Sequence, residues 1–174
     1  IFGGYPDADP GPRPWNRVAL FNAHARNKRS VTLDARKPLG RETFLRLVDH
    51  CDVLIENYKF GDLARYGLGY EDLRQINPRL IYAASSGFGY SGPYRDYPAM
   101  DLTVQAFAGV MSVTGEDGGA PVKCGVPIAD FSSGLYGAFS IASALMAVRS
   151  GAPGAHLDIP MFGCTLAIAA LQTS

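Results

Sequence analysis

The chain has 174 residues, 47% of them hydrophobic, enough to bury a core within one domain. Its 16 Lys and Arg balance its 16 Asp and Glu, so neither nucleic acid nor an anionic membrane surface has a charge excess to attract it. Cys51, Cys124 and Cys164 are odd in number and widely spaced. That excludes a disulfide framework and a paired zinc spacing and predicts a reducing compartment, the cytoplasm, while their apolar neighbours predict buried, inert thiols.

Residues 1–26, rich in Pro, Gly and Asp, read as an irregular lead-in. Val31 to Asp34 is a strand candidate. Pro38 suits the first turn of a helix, in which Phe44, Leu47, Val48 and Cys51 recur at the spacing of one buried face. Asp52–Glu56 and Leu80–Ser85 are compact apolar strands, with two short helical pieces between them, around Asp62–Tyr66 and Tyr70–Ile76. Asp101–Val113 reads as a helix, followed by a Gly-rich turn at Gly115–Gly119. A long apolar helix, expected to be buried, runs from Asp130 to about Arg149; its apolar run from Leu135 to Val148 is too short and too rich in Ser and Gly for a membrane span. Ala155–Ile159 is a further strand, and a last helix starts near Met161. Strands alternating with helices predict an α/β layer with a mainly parallel sheet. Ligands then gather at the carboxyl ends of the strands, in the loops after Leu33, Glu56 and Ser85. With no initiator Met or signal-peptide pattern at Ile1, and an apolar helical run just before Ser174, the chain reads as an excerpt of a longer protein.

Asp130 ends the run PVKCGVPIAD and opens the long helix. The free N–H groups of a first helical turn and the helix dipole favour an ionised carboxylate there. Such a group can cap the helix or attack a carbonyl. The loop GFGYSG (Gly87–Gly92) has the letters of a dinucleotide fingerprint, but Pro93 follows at once and denies it the helix that would hold a pyrophosphate. ENYKFGDLARYG (Glu56–Gly67) offers Asn57, Tyr58, Lys59 and Arg65 in one loop and turn: an amide, an aromatic face and two cations suited to a phosphate-bearing nucleotide, or an ordinary solvated loop. NKRSVTLDAR adds Lys28, Arg29 and Arg36 around the first strand candidate. His24, His50 and His156 show no metal-ligand spacing, and no Ser lies in a nucleophile elbow.

Together NKRSVTLD, DVLIENYKFG, GLGYEDLRQINPRLIYAASSGFGYSGPY, MDLTVQAFAG and PVKCGVPIADFSSGLYGA resemble the class III CoA-transferase family, the group that includes formyl-CoA transferase, carnitine CoA-transferase and α-methylacyl-CoA racemase. The resemblance covers nearly the whole chain from Asn27 onward. It implies that residues 1–174 are part of a large Rossmann-like, CoA-binding and catalytic domain, with an N-terminal strand and helix and a second domain lying outside this chain. It implies a nucleophilic role for Asp130. Leu33 and Arg36 match contacts to the adenosine of CoA, Asn57, Tyr58 and Lys59 the loop over nucleotide and pantetheine, and Arg65 a phosphate contact. Met100 and Asp101 match the pair flanking the reaction centre. The racemase branch uses a histidine at the position of Met100, and a thioether cannot shuttle a proton at neutral pH, so transfer is favoured over racemisation. A non-catalytic CoA-binding relative is the remaining alternative. The resemblance further implies acyl-CoA and carboxylic acids as substrates, no permanently bound cofactor, no metal, and an interlocked homodimer. Backbone N–H groups at the start of the Asp130 helix, including those near Gly134, are candidate oxyanion donors.

Overall fold

Proline sets the first turns of the chain. In the computed structural model, which describes residues 4–173, the polypeptide divides into one unit ending at Asp34 and another beginning at Ala35. In the first, 3-10 turns at Pro6–Ala8 and Pro14–Asn16 each open on a proline, whose fixed φ suits an opening helical position. Helix α1 (Ala19–His24) follows. The lead-in is therefore less irregular than its composition suggests. No strand forms at Val31–Asp34. Backbone ladders need a partner, none of the described strands pairs with this segment, and Val31 is 66% exposed.

The second unit is built on a parallel three-stranded sheet. Strand β1 (Val53–Glu56), β2 (Ile81–Ala84) and β3 (Ala155–Asp158) lie in the order β1-β2-β3. Glu56 pairs with Ala84 and Ala84 with Asp158, so the carboxyl ends of all three strands fall at one edge. Every residue of β2 is buried, as expected of a central strand covered on both faces. Its side chains alternate between two cores. Tyr82 and Ala84 pack with Val48 of helix α2 (Pro38–His50) and Leu73 of helix α3 (Tyr70–Leu73); Ala83 packs on the other side with Ile159 and Cys164.

Helix α2 starts at Pro38, as its sequence predicts, but turns a different face inward. Phe44 and Leu45 join Val48 against the core, whereas Leu47 is 46% exposed and Cys51 is exposed. Cys51 leaves the face because it is the C-cap, with extended backbone. Of the three thiols, only Cys164 is buried, and desolvation followed by the nearby Asp158 carboxylate pushes its pKa up. The expectation of three buried cysteines thus fails at Cys51 and is half met at Cys124.

Helix α4 (Asp101–Phe107) is shorter than the Asp101–Val113 span read from the sequence. Gly109 adopts a left-handed φ of 77°, and the chain re-enters as a 3-10 turn over Val110–Val113. Helix α5 (Ile128–Arg149) packs on α4, on β2 and β3, and on helix α6 (Met161–Ile168). A short helix, α7 (Ala170–Thr173), ends the described chain.

The expectation of a wholly buried α5 is corrected. Ala129, Ser132, Ser133 and Gly137 face inward, while Phe131, Leu135, Phe139 and Met146 are exposed, Leu135 by 73%. Small residues permit close helix approach, so the bulky ones are left outside. By length and composition alone α5 could cross a bilayer, contrary to the sequence reading. Its inward face, however, packs within the α/β layers.

Candidate active site

Both cavities beside Asp130 and the Asn57 loop open at the carboxyl edge of the sheet. The first, about 450 Å³, is lined by Asp130, Ser133 and Gly134 of α5, by Asn57 and Ser85 just beyond β1 and β2, and by Met161 at the start of α6. The second, about 250 Å³, shares Asn57, Ser85 and Met161 and adds Tyr58, Lys59, Arg95 and Tyr97. Two of the three predicted loops, those after Glu56 and Ser85, therefore meet at one site.

Local chemistry explains why the loops converge. Asn57 donates its side-chain N–H to the carbonyl of Ser85, tying the β1 loop to the β2 loop. Glu56, 6% exposed, accepts the backbone N–H of Tyr58 at 2.7 Å and the hydroxyl of Tyr90 at 3.1 Å. Desolvation, then the Glu56 charge, raise the pKa of both Tyr82 and Tyr90, so both phenols stay protonated. His156 stacks on the Tyr70 ring, and its buried Nε2 has no hydrogen-bond partner among the described residues. The Gly87–Gly92 loop is not followed by a helix. It docks instead on α6: Met161 and Phe162 donate their N–H groups to the carbonyls of Ser86 and Gly87, each at 2.9 Å. Gly87 is required there, because a Cβ would stand 2.2 Å from that of Ala99.

Asp130 occupies the third position of α5, and it does not cap the helix. The cap comes from α4: Asp101 Oδ1 accepts the N–H of Ala129 at 2.8 Å and of Asp130 at 3.3 Å. This overturns two expectations together. The N–H groups at the helix start are not open oxyanion donors, and they do not favour ionisation of Asp130. Its pKa is raised, first by loss of hydration against the apolar cavity wall and second by the Asp101 charge. Asp130 is nonetheless exposed as a residue.

The remaining predicted residues separate into two sets. Asn57, Tyr58, Lys59 and Asp130 line the adjoining cavities, and Asp101 touches the backbone of Asp130. Met100 is the N-cap of α4, is 73% exposed and lines neither cavity. Arg65 lies on the 3-10 turn Ala64–Tyr66 and pairs with Asp62 at 3.4 Å, also off both linings. Arg36 is exposed at the turn before α2, and Leu33 belongs to the first unit. Sequence reasoning missed Ser85, Met161 and Arg95 as lining residues, and Gln105, which bonds to Asp101. Only Gln105 left a signal, its helical four-residue spacing from Asp101.

Residues 7–174 match CoA-transferase family III, and the chain belongs to that family. It is 45% identical over 89% of its length to the succinate–glutarate CoA-transferase of Agrobacterium fabrum, covering 39% of that protein. It is 43% identical over 90% of its length to the acetyl-CoA:oxalate CoA-transferase of Acetobacter aceti, covering 41% of it. The crystal structure of a CAIB/BAIF family protein from Brucella suis superposes with a TM-score of 0.79 at 46% identity, over 84% of this chain and 39% of that one. The chain thus spans about two-fifths of the length of these relatives.

Proposed function

We propose that the protein to which this chain belongs moves CoA between an acyl-CoA thioester and a free carboxylic acid, with Asp130 as nucleophile. The observation that carries this reading is a carboxylate released from helix capping by Asp101 and set on an apolar cavity wall. A partly dehydrated carboxylate attacks a thioester carbonyl better than a fully solvated one, and a substrate that fills the cavity displaces the water that would hydrolyse an anhydride.

Asp130 adds to the thioester carbonyl, the C–S bond breaks, and an acyl–aspartyl anhydride and CoA thiolate result. The thiolate attacks the aspartyl carbonyl, expelling the donor acid as its carboxylate and leaving an aspartyl–CoA thioester. The acceptor carboxylate attacks that thioester, again forming an anhydride and thiolate. Thiolate attack on the acceptor's acyl carbonyl then releases the new acyl-CoA and restores Asp130. One thioester is exchanged for another, so the cycle needs no external energy source. Asn57, Tyr58 and Lys59 hold the coenzyme arm along the second cavity, with Arg65 and Arg36 at its nucleotide end and Met100 and Asp101 flanking the reaction centre. Binding the remote nucleotide restrains the thioester beside Asp130. The protein works in the cytoplasm as an interlocked homodimer, of which this chain is part of the large domain.

Hydroxylamine added to the full-length protein turning over acyl-CoA tests the covalent steps. A hydroxamate on the peptide containing Asp130 is expected, and modification confined to other peptides would refute the mechanism. The phosphate assignment has its own check. Lys59→Ala and Arg65→Ala are each expected to weaken acyl-CoA binding by roughly 3–10-fold at low salt, with the difference shrinking as ions screen the contact. The Arg65 effect should be the smaller, since its guanidinium must first leave Asp62. An affinity unchanged at low salt in either variant would remove that residue from the coenzyme site.

A further inference from the structure

Gln105 lies one helical turn beyond Asp101 on α4 and is 1% exposed. Both ends of its amide are engaged: Oε1 accepts the N–H of Cys124 at 2.8 Å, and Nε2 donates to Asp101 Oδ2 at 2.6 Å. Asp101 in turn holds the N–H groups of Ala129 and Asp130. One side chain therefore anchors the Cys124–Asp130 segment at both ends, directly at Cys124 and through Asp101 at Asp130. Residues 125–127 between the anchors belong to no helix or strand, so the anchors govern where the segment runs.

We propose that Gln105 is a positioning residue for the transfer reaction, fixing through this clamp where the Asp130 backbone, and hence its carboxylate, stands at the cavity. The inference rests on the proposed function and extends it to a buried residue that touches no substrate. An amide supplies the donor and the acceptor together at every pH. An ionised carboxylate at position 105 would accept from Cys124 but repel Asp101, a cation would serve Asp101 alone, and an aliphatic side chain would serve neither. The titratable groups about the clamp are Asp101 on the same helix, Asp130 and Cys124 across it, and Lys123, whose Nζ donates to the Cys124 carbonyl at 3.3 Å.

The test uses the full-length protein carrying Gln105→Leu or Gln105→Glu. Gln105→Leu is expected to lower kcat by about 10–100-fold with the acyl-CoA KM held within about twofold, the mark of misplacement without lost binding. Backbone hydrogen exchange in a peptide spanning residues 124–131 should speed up by at least about tenfold while β2 is unchanged. Gln105→Glu can restore both contacts only when protonated, so it should recover activity over Gln105→Leu near about pH 5.5 and lose that advantage by about pH 8. An unchanged kcat, a uniform rise in exchange, or two variants alike at every pH would overturn the proposal. If the unaltered protein moves no CoA, the proposed function falls. The exchange measurement then still decides the clamp, because it needs no turnover: a localised rise keeps it and a uniform one removes it.

Discussion

Asp130→Asn is expected to cut CoA exchange by at least ~10³-fold in the full-length protein and to raise its melting temperature at neutral and alkaline pH. The first effect is chemical: a carboxamide keeps the shape but is a poor nucleophile. The second follows from the raised pKa of Asp130, caused by desolvation and then by Asp101. The folded state binds this proton more tightly than the unfolded chain does. The stabilisation that the proton brings is complete below the ordinary carboxylate value of 3.8 and is lost as pH rises through the folded pKa. Above that point ionised Asp130 opposes folding, and asparagine removes the opposition. Thermal melts of the two proteins should nearly coincide around pH 3.5 and separate at pH 8, with the variant melting higher. A variant that melts lower at pH 8 would mean that the charge is stabilised by its surroundings.

Asp101→Ala is expected to lower both stability and turnover. It removes a helix cap, a loss of about 0.5–2 kcal/mol, and it strands the buried Nε2 of Gln105, at a further cost of roughly 1–3 kcal/mol. Denaturant unfolding reads the sum, and a change below about 1 kcal/mol would show that the cap contributes little. Asp101→Asn removes the like charge, so the Asp130 pKa should fall. It keeps an acceptor for the N–H groups of Ala129 and Asp130 but sets its own NH2 against Gln105 Nε2, so it gives up the Gln105 contact while keeping the cap. The acid limb of the kcat/KM profile then moves to lower pH. An acid limb that stays in place would assign the elevated pKa of Asp130 to desolvation alone.

The three strands were legible because each is a short run bounded by turns, and LIYAAS reads as a compact apolar strand, which the structure buries completely over β2. Val31–Asp34 has the same local character and forms no strand, because ladder formation depends on a partner that local preference cannot supply. Periodicity found α2 but chose Leu47 and Cys51 over Leu45. Positions only one residue apart differ by about 100° around a helix, and tertiary packing decides between them. For α5 the apolar content was plain, but its small residues carry the close approach to α4 and α6, which composition does not reveal. Asp130 was singled out correctly as lying in the first turn. The actual cap, Asp101, lies 28 residues upstream of Ala129, and no local pattern links the two. For the same reason the direction of the Asp130 shift was misjudged: the donors that would have favoured its charge were already taken.

The Glu56 side chain has a mechanical consequence. Its two oxygens grip different strand-following segments, one at the Tyr58 amide and the other at the Tyr90 hydroxyl. Pulling those segments apart would uncover an anion now sheltered from water and leave one of its oxygens without its partner, so separation is resisted from both sides. The Tyr58 segment at the second cavity and the Tyr90 segment therefore shift together as one piece.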